Sequence, residues 1–477
     1  MSRFSQVFGV NKTQAELDFV DVDLATDMPL FIDPFAIRQR PDPFSQTCTN
    51  TLVDFFQHVV DNIRAGNEYE AKKLLSYLRE PNETRLGFSK NKPQGAGIGD
   101  TQAEQVYDAL KGSSAVKTGF LSSLEECELM VEGISRDKLS DLATNVLRSH
   151  LIAYTQEQCK LHGVPTSPVP VPPCFNPETM EWVSQYADLP THEDRIIVLV
   201  PKVIVRYDPA YEHQRYYRHF VLTYLQAEHV AAGSSLVRTL KDGRRRVYKK
   251  DLMERFPCSK EFLYQFSKDH PEVLSKYRDS LKASETDGKA KDVDQLESDL
   301  LIAEALATAL KLIPGGNADA TTYHRLMIGI LEFVFFPSLL SPRKEIEIHE
   351  GRKRIDIVME NGAREGIFQR LRDVRKMPCS FVAIECKNYT REIENPELDQ
   401  IGGRFSPLRG KVGVICCRRF NNRPLFVQRC KDTLADDRGL ILPLDDERVL
   451  ELLGVLQLGN RQRLDDTLTM WVNELFF

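Results

Sequence analysis

Two short stretches decide how the C-terminal part of this chain folds: Arg354-Ile355-Asp356-Ile357-Val358 and Phe381-Val382-Ala383-Ile384-Glu385-Cys386-Lys387. Both have the length and the apolar content of short β-strands. Successive side chains of a strand point to opposite faces, so Glu385 and Lys387 are predicted to share one face. If the two strands pair, Asp356 joins them there.

Two carboxylates and one ammonium on a single strand face are costly unless something binds there. Mg²⁺ suits such a group because it takes oxygen ligands and keeps several of its waters. A bound divalent cation acidifies water and neutralises charge on a phosphate. The alternative is a solvated strand edge, because Glu-x-Lys carries little information in a chain with 28% charged residues.

The elements predicted around these strands narrow the choice. Apolar spacing predicts a helix from Thr322 to Phe336 that carries Glu332, and a strand over Lys344–Ile348 precedes the Asp356 strand. A helix from Asn395 to Gly402 is favoured by Pro396 at its first turn. The remaining predictions are strands over Lys411–Cys417 and Gly439–Leu444 and a helix from Asp446 to Leu456.

This order of elements resembles the PD-(D/E)xK restriction-endonuclease-like nuclease superfamily over about residues 320–445. The matching positions are Asp356, Glu385 and Lys387, with Glu332 and Gln400 as looser accessory matches. Ile355 stands where the family motif has proline. The resemblance implies an α/β nuclease core, in which helices flank a mixed central sheet, and metal-dependent hydrolysis of phosphodiester bonds, usually in DNA.

The resemblance also implies roles for these residues. Asp356 and Glu385 would hold Mg²⁺ (or Mn²⁺), and Lys387 would orient or deprotonate the attacking water or stabilise the pentacovalent charge. Glu332 would help a second ion or hydrogen-bond a metal-bound water. Gln400 and Arg404, from the following helix, would position a phosphate or a strand.

The charge distribution agrees with a nucleic-acid substrate. The whole chain has a net charge of −6, but residues 341–440 hold 21 Lys and Arg against 15 Asp and Glu. Residues 401–430 contain no acid at all. A phosphate backbone requires such a surface, although a solvated face is the ordinary explanation of a charge run. The predicted DNA contacts are Arg354, Arg404, Arg409, Lys411, Arg418 and Arg419.

Length and composition predict several domains. Residues 1–163 are predicted to form a mainly helical domain, with one early strand over Leu17–Leu24. A proline-rich connector at 165–173 marks the boundary to an α+β middle region, 164–284, with a role in DNA or target sensing. The basic run 240–250 there is a DNA-contacting hairpin or a solvated turn. A polar linker at 285–298 precedes the nuclease domain, 299–477, which is expected to fold on its own.

Several other classes of protein are disfavoured. The chain has no Walker motif, no His-Glu-x-x-His and no Gly-x-Ser-x-Gly. Its ten cysteines include no Cys-x-x-Cys pair, which favours buried reduced thiols. No signal peptide and no apolar run of about 20 residues is present, so we expect a cytoplasmic protein with no membrane partner.

The sequence therefore predicts a Mg²⁺-dependent DNA endonuclease, with bacterial restriction or anti-phage defence as its setting. Two alternatives stay open. One is a repair or recombination nuclease that cuts branched DNA or transposon ends. The other is a catalytically inactive scaffold that binds DNA or a partner. Besides DNA, a homo-oligomer and a partner protein sensed by the N-terminal region are candidate partners.

Overall fold

The chain folds as a mixed α/β protein around three main hydrophobic clusters. The computed structural model describes residues 2–87, 99–119, 121, 123–207, 211–239, 244–286, 299–348, 353–458 and 461–477. Within these ranges, no helix combines the length and the apolar character needed to cross a membrane.

The first cluster is built mainly from two long helices and a β-hairpin. Asp42 caps the N-terminus of the first of these helices by accepting from the Ser45 amide, and Gly66, at φ 79°, ends it. The second runs from the Ser135 cap to Gly163, at φ 71°. The helices of this part are α1 Phe4–Val7, α2 Pro34–Arg38, α3 Pro43–Ala65, α4 Glu68–Leu75, α5 Gly99–Gly112, α6 Ser114–Thr118, α7 Cys127–Met130 and α8 Arg136–His162. Its strands are β1 Phe31–Ile32, β2 Ser167–Asn176, β3 Glu181–Leu189, β4 Thr191–His192, β5 Arg195–Ile196 and β6 Val205–Arg206.

The proline-rich run is a strand rather than a connector. It forms β2, which pairs antiparallel with β3 and carries a register shift between Val171 and Cys174. Proline is tolerated because β2 has only one neighbouring strand and its other edge needs no amide donors. The first cluster continues to Val205. The predicted boundary at 163/164 therefore falls inside one hydrophobic core.

The predicted strand over Leu17–Leu24 is wrong. A short 3₁₀ helix, Gln14–Glu16, leads into an irregular segment whose apolar side chains are buried. Its backbone forms the isolated bridges Arg3 to Asp23 and Phe19 to Pro201 and single hydrogen bonds nearby, but no continuous ladder among the described residues. The apolar side chains of the alternating segment are thus buried, although its backbone has no continuous strand partner.

The middle part packs its own cluster against α2, α6 and α7. It contains α9 His213–Tyr216, a π-helical turn Tyr217–Val221, α10 Leu222–Ala231, β7 Arg238–Thr239, β8 Arg245–Arg246, α11 Lys249–Arg255, α12 Lys260–Asp269 and α13 Pro271–Thr286. In the basic run, β7 and β8 pair antiparallel with their arginines exposed. Residues 240–243 of that run and most of the linker, 287–298, lie outside the described residues.

The C-terminal part is a five-stranded mixed sheet with helices packed on it. Its elements are α14 Asp299–Leu312, α15 Ala320–Phe335, β9 Leu339–Ile348, β10 Lys353–Asn361, α16 Gly366–Gln369, β11 Phe381–Lys387, α17 Asn395–Gly402, β12 Val412–Cys417, α18 Arg423–Ala435, β13 Leu440–Asp445, α19 Asp446–Gln457 and α20 Arg461–Phe476. The strand order is β13-β12-β11-β10-β9. β9, β10 and β11 are antiparallel neighbours, and β11, β12 and β13 run parallel.

Every strand predicted in this part is present. β11 has the predicted bounds, whereas β9 begins at Leu339, earlier than Lys344. The parallel strands β12 and β13 are buried at every position, as expected when helices cover both faces. The mixed α/β sheet predicted for this region is thus confirmed.

The N-terminal part and the sheet are packed together. Phe336 and Leu340 belong to the first cluster, and Ala15 and Leu161 belong to the cluster of the sheet. Polar contacts cross the same surface, as when Ser341 N donates to Asp18 Oδ1 at 3.1 Å. One end of the sheet is therefore covered by N-terminal residues.

Candidate active site

The strand pairing brings the three predicted site residues together. β10 and β11 pair in the register Ile357–Ile384 and Val358–Ala383, so Asp356 and Glu385 come next on the two strands. The Cys386 amide donates to Asp356 Oδ2 at 3.3 Å, which holds the aspartate against β11. On the other side of β11, Glu385 lies beside Ile415 of the buried strand β12.

Lys387 links the two carboxylates. Its Nζ donates to Glu385 Oε2 at 3.0 Å and lies 3.7 Å from Asp356 Oδ2. The Glu385 side chain is 1% exposed, the Lys387 side chain 10% and the Asp356 side chain 31%. The group is therefore buried on the Glu385 side and open to solvent on the Asp356 side.

Burial and like charge perturb these groups. Burial is the main cause that raises the pKa of Glu385 to about 7, the Asp356 carboxylate adds to it, and Lys387 opposes it. Burial disfavours the charged form of Lys387, but Glu385 and Asp356 outweigh it and raise the pKa of the Lys387 ammonium. The shared lysine is thus held in its charged form between two acids.

Helix α17 supplies two further contacts to Glu385. Pro396 occupies its first turn, and Glu397 closes a capping box with Glu394. Gln400 Nε2 donates to Glu385 Oε2 at 3.2 Å. Just after the helix, Arg404 Nε lies 3.7 Å from Glu385 Oε1. The structure therefore brings Gln400 and Arg404 to the predicted site.

The donor set fits a Mg²⁺ ion held by few protein ligands. Glu385 Oε1 is buried and makes no hydrogen bond among the described residues, and a hard cation satisfies such an orphaned oxygen. Within the part of the chain that the structure describes, no group of three or more His, Cys, Asp or Glu side chains could hold a metal. Asp356 and Glu385 would hold the ion, and water would supply its other ligands.

Glu332 does not join this group. It is 1% exposed on α15, and its charge acts on two groups of the N-terminal part. Burial chiefly raises the pKa of Tyr154 and Glu332 adds to this rise, whereas burial lowers the pKa of Lys12 and Glu332 opposes this fall. A side chain at Gly329, one helical turn away, would meet Lys12 Nζ and Glu16 Oε1. The structure places Glu332 at the surface that packs on the N-terminal part.

The predicted DNA-contacting cations fall into two groups. Lys411 pairs with Asp437 at 2.9 Å, and Arg418 pairs with Asp446 at 3.1 Å and donates to Ile313 O at 2.7 Å. These two cations are engaged by acids that come later in the sequence. Arg419 is exposed, Arg409 donates to Arg404 O, and the side chain of Arg354 lies outside the described residues.

One positioning residue was missed by the sequence analysis. Asn388 follows Lys387 directly, and its Nδ2 donates to Pro314 O at 3.1 Å and to Gly316 O at 2.8 Å. It ties the end of β11 to the loop before α15. Its place immediately after the lysine was the available signal.

Comparison with known proteins adds information on the N-terminal part only. No curated protein and no solved structure matches this chain. One family model matches, described as a domain of unknown function (DUF8370), over residues 9–212. The matched segment covers most of the first cluster and ends well before Asp356. Residues 9–212 are thus similar to that domain, and the carboxylate site lies outside the match.

Proposed function

We propose that this chain is a Mg²⁺-dependent deoxyribonuclease whose active site is Asp356, Glu385, Lys387 and Gln400. The observation that carries the proposal is the position of Lys387 Nζ, 3.0 Å from Glu385 Oε2 and 3.7 Å from Asp356 Oδ2. Ionisable groups that are perturbed by burial and by a specific charge partner cluster at functional sites. The order of strands and helices supports the PD-(D/E)xK resemblance named above.

The residues have separable tasks in this proposal. Asp356 and Glu385, whose Oε1 makes no hydrogen bond among the described residues, would hold the metal, which would acidify a water and neutralise phosphate charge. Lys387 would donate a hydrogen bond to the attacking water or to the phosphate oxygen that gains charge. Gln400 fixes the Glu385 carboxylate by its hydrogen bond to Oε2. Glu332 has no task in this proposal, because its charge acts on Lys12 and the preceding turn of α15 faces Lys12 and Glu16.

DNA is the proposed substrate because cations surround the acids. Arg404 is 3.7 Å from Glu385, and Arg409 donates to the backbone carbonyl of Arg404. Arg419 is exposed two residues beyond β12, at the strand end beside Lys387. Cations at these positions can contact phosphates of a bound strand. The setting proposed is bacterial restriction or anti-phage defence, with the N-terminal part sensing a partner or a target.

The test is incubation of the purified full-length chain with supercoiled plasmid in Mg²⁺, Mn²⁺ or EDTA. Nicking or linearisation in either metal, and none in EDTA, is the expected result. A parallel panel of four-way junctions and transposon ends separates a repair or recombination nuclease from one that cuts ordinary duplex. Binding without cleavage in either metal would leave the inactive scaffold as the better account.

A further inference from the structure

A cavity lies beside the carboxylates, on the same side of the sheet. Its volume is about 140 Å³, and its floor includes Val358, Ala383, Phe381 and Phe405. Ala383 lies two residues before Glu385 on β11 and therefore shares its face. Arg404, which lies 3.7 Å from Glu385, also lines the cavity. The cavity and the proposed metal site are thus neighbours that share one arginine.

The lining combines an apolar floor with arginines. Arg343, Arg404 and Arg409 surround the cavity, and none of the lining residues that the structure describes is acidic. Arg343 is paired with Glu360 and stacks its guanidinium 5.5 Å from the Phe381 ring, so it serves as a wall. Arg404 Nε is buried and makes no hydrogen bond within the described structure. Its distance of 3.7 Å from Glu385 Oε1 is longer than a hydrogen bond, so the guanidinium can donate to an anionic ligand at the junction of the cavity and the site.

Size and chemistry select the occupant. A cavity of about 140 Å³ lies below the ~300 Å³ at which pockets for drug-sized ligands begin, so it suits a single ring system. Phe405 and Phe381 offer aromatic surface, on which a nucleobase stacks in proteins that bind single strands. An arginine beside that surface suits the phosphate of the nucleotide that carries the base. A nucleobase with its phosphate matches all three features.

We propose that this cavity binds one unpaired nucleobase of the substrate, next to the phosphate that is cut. The proposal rests on the nuclease function proposed above and specifies its substrate class. A paired base cannot enter, because its ring is stacked inside the duplex, and extruding it costs least where it is mismatched, bulged or in a single strand. The chain therefore prefers DNA that carries an unpaired nucleotide at the cleavage position.

The test fills the cavity without touching the carboxylates. Ala383→Leu adds side-chain volume to the floor, and Ala435→Leu adds the same group at an exposed position of α18 as the control. Binding of the full-length proteins to a fluorescent duplex, fully paired or with one bulged nucleotide, is measured by anisotropy in EDTA. The wild type and Ala435→Leu are expected to bind the bulged duplex about tenfold more tightly than the paired one. Ala383→Leu is expected to lose that preference and to keep its affinity for the paired duplex.

Thermal melts separate a filled cavity from a disrupted fold. If Ala383→Leu is destabilised, Ala383→Val adds less volume and suits a strand, and a partial loss of preference is expected. A wild type without preference, or an Ala383→Leu variant that is folded and keeps it, overturns this inference even if both duplexes are cut in Mg²⁺. A wild type that neither cuts nor binds DNA overturns the nuclease function and this inference together.

Discussion

At the scale of single residues, Glu385 explains why the site is held so tightly. Its carboxylate is buried, yet it meets a lysine, an amide and an arginine from three different positions in the chain. The strand period predicted the Lys387 contact, and the family resemblance indicated Gln400. Arg404 was expected beside Gln400 as a phosphate-positioning residue, whereas its 3.7 Å contact with Glu385 itself depends on where α17 ends over the sheet.

Gln400 is expected to set the affinity of the metal rather than the rate at saturation. Its Nε2 donates to Glu385 Oε2 at 3.2 Å, so Gln400→Leu removes the group that orients a proposed ligand. Loss of such an outer contact lowers metal affinity about 10- to 100-fold. The Mg²⁺ concentration for half-maximal cleavage should rise by that factor, while exposed Gln428→Leu on α18 changes nothing. An unchanged Mg²⁺ titration would show that Gln400 has no part in the metal site.

Glu360 is expected to make stability fall with rising pH. Burial chiefly raises the pKa of Glu360 to about 7, Arg343 and the Phe44 amide oppose it, and Asp42 and Asp18 add to it. Because this pKa is raised above its unfolded value of about 4.3, the folded state binds more protons between these two values. Stability is therefore lost as pH rises through this window and is level above it.

The matching experiment compares unfolding free energies of the wild type and Glu360→Gln from pH 5 to pH 8. One pKa unit corresponds to about 1.4 kcal/mol. The unfolding free energy of Glu360→Gln should therefore rise relative to that of the wild type by on the order of 2 kcal/mol from pH 5 to pH 8. Exposed Glu451→Gln is the control and should follow the wild type. Parallel curves for Glu360→Gln and the wild type would contradict the prediction.

At the scale of elements, local pattern identified the strands and helices of the C-terminal sheet but failed at β2 and at residues 17–24. β11 has its predicted bounds, and α17 has its proline at the first turn. The prolines of β2 indicated a connector. A strand with a single neighbour tolerates proline, and whether such a pair forms depends on tertiary packing, which the local sequence does not show. Residues 17–24 alternate like a strand, but they are buried without forming a continuous strand.

The arginines after β12 are expected to divide into a structural and a DNA-binding residue. Arg418 is tied to Asp446 and to Ile313 O, whereas its neighbour Arg419 is exposed. Arg419→Gln should weaken DNA binding across sequences and reduce the slope of log affinity against log salt by about 1. Arg418→Gln should instead lower the melting temperature. The assignment is reversed if the salt slope follows Arg418 and ignores Arg419.

At the scale of the whole molecule, the N-terminal part completes the surroundings of the sheet. Arg40 Nη2 donates to Pro337 O and to Gly362 O, each at 3.2 Å, and Phe44 N donates to Glu360 Oε2 at 2.8 Å. Gln158 Nε2 reaches Pro342 O at 3.1 Å. The sequence predicted that residues 299–477 fold alone. It could not reveal these contacts, because residues more than a hundred positions apart leave no local pattern.

These contacts predict that the two parts stay together when the chain is cut between them. With a protease site inserted at residues 287–298, the two pieces should co-elute on size exclusion after cleavage. Residues 299–477 expressed alone should aggregate, because Phe336 and Leu340 lose their apolar neighbours. Two separately eluting, folded pieces would show that the shared core contributes little.

The proposed nuclease activity requires the carboxylates that β10 and β11 carry, and Glu385→Gln alters one of them with the smallest change in shape. The substitution keeps the shape of the side chain and removes its charge, so the melting temperature should stay within about 3 °C of wild type or rise. The measurement is the rate of plasmid nicking in Mg²⁺, with Lys387→Ala and Asp356→Ala alongside and exposed Glu451→Gln as the control. We expect the nicking rates of the three site variants to fall to the rate without enzyme, while Glu451→Gln keeps full activity. A folded Glu385→Gln protein that nicks plasmid at the wild-type rate would contradict this expectation.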